Sequence, residues 1–465
     1  MLLGASVIQR RANRLSLQQT RRKLLTSDLA DAERDAPTKR LGFLDRVQYA
    51  YAVFGMILYQ GAISSPLRSL RGAPPMAEGD SDISIQIAQA IIFLGFIAFG
   101  WKYRWQVLRS IRIILPITLL LGLCVVSVIW SEFPQITLRK CVTLLTAVLF
   151  GMYCYFRYGL ARTTKIVADT TSVLAALSLA VYFLVPSMGR EPSEEYRNAL
   201  AGLYGQKNFV AAAMLIASNY YLWKMFRSRL SLKETAGFAL ILACLVLSMS
   251  ATGMGILAVV FILNLMDYAR GRWRLRLIVT YVFAIFAFVL VLGLIVSPAA
   301  TLGIIGRDLS LTGRVPLWQL AIQAIEAKPI LGYGYFAFWN ANSPTVQYIW
   351  DQIGWPAEHS HDAYLDVLLQ LGVVGLILYI WIIGRIALMA GWAQRTRGFP
   401  EARWVVGFIT IILIRNIDEG APLYPNEFVM LMTTSLLALE SYRLSRQSRA
   451  SMRRARNLEE DAVTQ

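Results

Sequence analysis

Residues 359–389 read HSHDAYLDVLLQLGVVGLILYIWIIGRIALM. From Val367 onward this run is apolar except for Gln370 and Arg385, and it is long enough to cross the roughly 30 Å hydrocarbon core of a bilayer as a helix. Just ahead of it, His359, His361, Asp362 and Asp366 crowd together. One end of this helix is therefore wet and rich in titratable groups, while the other continues into lipid.

The rest of the 465-residue chain repeats the apolar half of that pattern. Hydrophobic residues make up 56% and charged residues 16%, against about 45–50% and about 25% in an average soluble protein. Intrinsic disorder is excluded as the general state, and a plain cytosolic enzyme is disfavoured. Apolar stretches that predict membrane spans lie at 47–64, 83–100, 112–130, 139–156, 166–185, 209–226, 235–251, 253–268, 277–297, 367–389, 404–421 and 427–441. The last two are the weakest by pattern. Span 404–421 carries Arg415, Asp418 and Glu419 near one end, and 427–441 is short. The fold expected is an all-α polytopic membrane protein of about twelve transmembrane helices.

A net charge of +17 in a soluble protein would point to nucleic acid. Here the basic residues fall in short runs between apolar stretches, as membrane topology requires, and no nucleic-acid partner is expected. With the N-terminus inside, 35 of the 46 Lys and Arg lie on the inner side and 16 of the 29 Asp and Glu on the outer. The organisation read from this is a basic tail at 1–46, nine helices across 47–297, a long outer loop at 298–366, three helices across 367–441 and a basic tail at 442–465. Residues 1–46 hold ten Lys/Arg and no apolar run long enough for a signal peptide. Cys124, Cys141, Cys154 and Cys244 all sit in apolar segments without metal-ligand spacing.

Within the outer loop, RVPLWQLAIQAIEA (314–327) has Leu317, Leu320, Ala321, Ala324 and Ile325 at helical spacing, which predicts an amphipathic helix. Lys328-Pro329 reads as its stop. Trp350 and Trp355 read as interfacial aromatic-belt residues. The only histidines are His359 and His361. A His-x-His metal site would need carboxylates from Glu358, Asp362 or Asp366; with no second ligand cluster in the sequence, no metal is expected. The outer cations include Arg197, Lys207 and Arg314, and several converging on one anion would suit a phosphate.

The run 359–375 resembles the signature of the O-antigen ligase/O-antigen polymerase superfamily: His361, Asp362, nine residues, Gly372, two residues, Gly375. TGRVPLWQLAIQAIEAKPILGYGYFAF (312–338) resembles its Thr-Gly-Arg segment, helix and Pro-hydrophobic-Leu-Gly-x-Gly turn. GLYGQKNFVAAAML (202–215) is similar to its Asn-containing entry to a span, in the form of the exopolysaccharide-polymerase branch, and SEFPQITLRK (131–140) to a short outer turn. The resemblance covers roughly 130–380. Two positions depart from it. The tip SMSATGM (248–254) lacks the arginine common in the family's ligases, and Asp362 stands where Asn, Ser or Gln is usual.

The resemblance implies a multi-pass protein of the bacterial inner membrane with both termini cytoplasmic and the long loop periplasmic. It implies metal-independent glycosyl transfer, without cofactor, that joins undecaprenyl-pyrophosphate-linked oligosaccharide repeats into exopolysaccharide or O-antigen. His361 would be the general base and Arg314 the cation facing the leaving pyrophosphate. Lys207, Arg197, Asn208 and Asp362 would bind substrate, with Lys207 or Arg197 supplying the positive charge missing at 248–254. The bilayer, a chain-length regulator and a flippase would be partners. A ligase moving polymer to a lipid or protein acceptor is the alternative of the same class. A polysaccharide-lipid flippase is the rival of another, disfavoured because the spans are nearly free of the midplane charges that transporters carry.

Overall fold

The computed structural model describes residues 42–62, 83–191, 196, 198–269, 314–396, 398–419, 423–424 and 426–463. The predicted span 277–297, most of the 1–46 tail and the start of the outer loop lie outside the described residues.

Among the described residues every named element is helical, and the one β feature is an isolated bridge between Arg190 and Leu200. The helices are α1 (Phe43–Tyr59), α2 (Ile83–Gly95), α3 (Arg104–Ile113), α4 (Leu115–Val126), α5 (Pro134–Leu184), α6 (Lys207–Met225), α7 (Leu232–Leu247), α8 (Ala251–Tyr268), α9 (Arg314–Ala327), α10 (Pro344–Ile353), α11 (Ala363–Thr396), α12 (Ala402–Asp418) and α13 (Glu427–Val463). A π-turn, Phe96–Gly100, and a 3₁₀ turn, Trp101–Tyr103, join α2 to α3.

Among the described residues four helical stretches are long and apolar enough to cross a membrane: Ile83–Ile113, Pro134–Leu184, Ala251–Tyr268 and Ala363–Thr396. Their outward side chains suit lipid, since Ile87, Leu94, Val173, Ile377 and Leu388 are all exposed. The predicted spans 139–156 and 166–185 are the two arms of α5, which is broken at Gly159 (φ 68°, ψ 175°). The arm after the break is re-anchored by Thr163 Oγ1, which donates to the Gly159 carbonyl at 2.7 Å.

The core is aromatic and close-packed around α5. Tyr51, Phe150 and Tyr153 meet edge-on or stacked, and α13 approaches so tightly that a Cβ on Gly151 would lie 2.7 Å from the Met430 carbonyl oxygen. Small residues permit such close crossings in lipid, where hydrophobicity gives helices no reason to associate. The lone cation of the opening stretch, Arg385, is neutralised by the buried Glu440, which also takes Arg443 Nε at 2.8 Å.

The helix predicted over 314–327 is present and ends before Lys328-Pro329. With α10 it builds a second core of Leu317, Ala321, Tyr333, Phe338, Trp339 and Ile349. Trp350 and Trp355 pack against this core, and the Trp350 indole donates to the Ala357 carbonyl at 2.8 Å. These rings are thus structural parts of the loop, where the sequence predicted a lipid-interface belt.

The segment 329–334 locks the loop onto α11. Tyr333 and Gly334 N–H groups donate to the Leu369 and Gln370 carbonyls at 2.8 and 2.9 Å, and Val373 N–H donates to the Pro329 carbonyl at 2.9 Å. These bonds satisfy groups freed where α11 breaks at Gly372 (φ 62°, ψ −164°). Broken backbone is tolerated in a membrane helix only when protein or water supplies the missing partners.

Candidate functional site

Three chain segments converge on the buried carboxylate of Glu419, immediately after α12. Asn208, in the first turn of α6, donates its amide to Glu419 Oε1. Arg314, the first residue of α9, places a guanidinium nitrogen 3.9 Å from the same oxygen. His361, in the turn before α11, holds Nδ1 at 3.9 Å from Oε2. All three side chains are largely buried or half-buried, so their charges are screened less than at an open surface.

The histidine turn is fixed by its neighbours. His361 takes a left-handed backbone, φ 55°, uncommon for a residue with a Cβ and costing of order 1–2 kcal/mol. Ser360 pays that strain back through its surroundings. Its N–H donates to buried Asp366 Oδ1 at 3.0 Å, its carbonyl accepts from Trp318 Nε1 at 2.8 Å, and its hydroxyl donates to the Asp362 carbonyl at 2.7 Å. Asp366 also receives Trp339 Nε1 at 2.9 Å. The loop core and α11 thereby aim His361 at Glu419.

His359 stands behind His361, ring centroids 4.1 Å apart, with its Nδ1 accepting the His361 N–H at 3.1 Å. Burial, and then the Arg314 and Arg415 cations, push its pKa down from 6.5 to about 4. Neutral His359 is the form that fits. Between pH 6.5 and 4 the unfolded chain binds a proton at this residue that the folded one refuses, so its contribution to stability falls as pH drops through that window and is constant above it. This contribution of His359, up to roughly 3 kcal/mol at about 1.4 kcal/mol per pH unit, opposes those of Glu358 and Asp362, whose pKa values burial raises, so it is read as the difference between wild type and a variant lacking the imidazole. In thermal melts recorded across pH, wild type should lose melting temperature relative to His359→Gln below about pH 6.5.

The other sequence-predicted residues are placed as follows. Asp362 caps α11, its Oδ1 accepting the Tyr364 and Leu365 N–H groups at 2.9 Å each. Burial raises its pKa despite those bonds. Lys207 begins α6 beside Asn208 and lays its ammonium on the Tyr196 ring, while its N–H donates to Glu191 Oε2 at 2.7 Å. Arg197 lies outside the described residues. The tip at 248–254 is a helix start, with Ser250 Oγ accepting the Gly253 N–H.

Glu419 is the residue that sequence reasoning missed. Its charge counted only as a blemish on the apolar span 404–421. The usable signal was an acidic residue closing the apolar run 404–421, since ionisable groups within such runs are candidates for function.

His359, His361 and Glu419 could together offer three metal ligands, their atoms within 4.8 Å of one another. The carboxylate partner is thus Glu419, with Glu358, Asp362 and Asp366 outside the group. A dication there would compete with Arg314 and Asn208 for Glu419, and would stand beside the cations that already depress His359. The arrangement better suits an anion against Arg314 and a hydroxyl against His361.

Residues 236–380 match the O-antigen ligase family. That match supports the resemblance to the O-antigen ligase/O-antigen polymerase superfamily over about a third of the chain. It is 24% identical over 342 residues to the exopolysaccharide production protein ExoQ of Rhizobium meliloti, covering 68% of this chain and 74% of that one. A putative polysaccharide ligase of Rickettsia felis is 30% identical over 120 residues, 23% of this chain and 30% of its relative. These likenesses support a polysaccharide-processing membrane protein. The family match includes Arg314 and His361 and stops before Glu419.

Proposed function

We propose that this protein belongs to that superfamily and polymerises undecaprenyl-pyrophosphate-linked oligosaccharide repeats into exopolysaccharide by glycosyl transfer at the periplasmic face. The observation that carries the reading is the convergence of Arg314, His361 and Asn208 on Glu419. Likeness to an exopolysaccharide production protein over most of the chain supports the product class.

In this mechanism the acceptor sugar hydroxyl attacks the anomeric carbon of the donor. The hydroxyl proton passes to His361, and the anomeric C–O bond breaks with its electron pair leaving on the pyrophosphate. Arg314 stabilises the charge that develops there, so the leaving group needs no acid of its own. Glu419 is a positioning residue: it orients His361 and stabilises the imidazolium, as a carboxylate does in a catalytic triad. Asn208 holds Glu419, and Lys207 and Asp362 flank the substrate.

The accompanying topology is twelve spans in the bacterial inner membrane with both termini cytoplasmic, supported by the inward bias of Lys and Arg. A flippase would supply the lipid-linked repeat and a chain-length regulator would limit the product.

The lipid-linked sugars of cells lacking the protein test this, complemented with wild type or Arg314→Ala. Accumulated single repeats and loss of long polysaccharide are expected in both the deletion and the Arg314→Ala cells. Full-length polymer stranded on its lipid carrier would instead establish the ligase reading, which the family description and the Rickettsia felis relative favour. Because the proposed chemistry uses no metal, polymerisation by purified protein should keep its rate in excess EDTA. A rate lost to EDTA and restored by a divalent cation would assign His359, His361 and Glu419 to a metal instead.

A further inference from the structure

At the far end of the bundle a second charged site lies outside the proposed chemistry. Helix α6 runs from Asn208 beside Glu419 to Met225, and at 1.5 Å per residue its last turn lies roughly 25 Å from the candidate site. There a cavity of about 520 Å³ opens between α6 and the break in α5. Its wall carries Arg162, Lys165, Lys224 and Arg227, with the Tyr220 and Trp223 rings beside them.

Two of these cations are committed. Lys165 pairs with Asp169 at 2.8 Å and lies 4.0 Å from Glu234, and Lys224 pairs with Glu234. Glu234 is held in turn by a capping box with Ser231. The arginines are arranged differently. Arg162 lies over the Tyr158 ring at 5.4 Å and Arg227 over the Trp223 ring at 5.4 Å, and neither pairs with a carboxylate among the described residues. Four cations thus face two carboxylates.

The backbone adds to the positive potential. Arg162 and Lys165 follow Gly159, where the second arm of α5 begins, and a helix start carries the positive end of the macrodipole. Cations there are unfavourable unless an anion answers them. Trp223, fixed by its indole N–H to the Pro400 carbonyl at 3.1 Å, and Tyr220 are ring types enriched at headgroup level. Guanidinium groups bind phosphate through paired donors, and basic cavities between membrane helices suit lipid headgroups.

We propose that this cavity binds a phosphate group, that of an anionic membrane lipid seated between α5 and α6. Lys165 and Lys224, braced by Asp169 and Glu234, form its floor, and Arg162 and Arg227 close on the phosphate oxygens.

The test uses the full chain, purified and delipidated in detergent. Phosphatidylglycerol, phosphatidylcholine and inorganic phosphate are added separately, with binding read by native mass spectrometry and by the shift in melting temperature. Phosphatidylglycerol should bind and raise the melting temperature, and phosphatidylcholine should not. Arg162→Gln with Arg227→Gln should weaken phosphatidylglycerol roughly 30-fold, about 2 kcal/mol at about 1 kcal/mol per basic residue. Each single variant should give about a fivefold loss, and Arg227→Gln, at an exposed position, serves if the double variant folds poorly. A shift with inorganic phosphate that the same variants lose would keep the chemistry and make the occupant a soluble phosphate. Equal binding of both lipids, or variants that keep wild-type affinity, would overturn the proposal.

Discussion

His361→Ala lowers the rate of polymer formation by about 10²–10⁴-fold, the usual worth of a general base. Glu419→Gln, which keeps the side-chain volume and an oxygen for the Asn208 amide, is expected to lose at least about tenfold. The decisive measurement is the double variant. A residue acting through another adds little once that other is gone, so His361→Ala with Glu419→Gln should be about as slow as His361→Ala alone. Single-turnover rates on a lipid-linked repeat would show this. Multiplicative losses would give Glu419 a role independent of His361, such as holding Arg314, whose guanidinium lies 3.9 Å away.

Gly372→Ala is the second large effect, and it falls on stability. Glycine is required there twice over. Its φ of 62° is strained for any residue with a Cβ, by roughly 1–2 kcal/mol. An added Cβ would also lie 2.2 Å from the carbonyl carbon and oxygen of Ile330, backbone atoms that cannot rotate away. Overpacking of this kind costs about 1–3 kcal/mol more. We expect a total loss of about 2–5 kcal/mol, read as a large drop in melting temperature in detergent. Gly384→Ala is the control, since nothing lies within 4 Å of its added Cβ and its cost should be near zero. Equal melting temperatures for the two variants would mean that the 329–334 clasp does not contribute to the fold.

Much of this was legible in the sequence because the signals were local. Helical spacing of Leu317, Ala321 and Ala324 announced α9. The pair His361 and Arg314 stood out through the scarcity of histidine and of outer cations. Longer-range facts had no such mark. Glu419 meets Asn208 from 211 positions away, and no spacing rule spans that distance. Trp350 reads alike whether its indole faces lipid or the Ala357 carbonyl, because an amphipathic ring suits both. The helix-capping bonds of Asp362 carry no mark of their own either, since any Asp ahead of a helix can make them. The break at Gly159 falls in the gap between two predicted spans, and one glycine between Tyr158 and Leu160 does not announce a positive φ.

The clasp between 329–334 and α11 also limits how the protein can change over time. At Gly332 an added Cβ would meet the Leu369 carbonyl oxygen at 2.6 Å, as one at Gly372 would meet Ile330. In both cases the obstacle is main chain, which every amino acid carries unchanged. A core clash between side chains can be relieved by a smaller partner; this one offers no partner to shrink. Second-site suppressors of Gly332 or Gly372 substitutions should therefore not arise at the opposing residues, and the two strands of the clasp are bound to be inherited together.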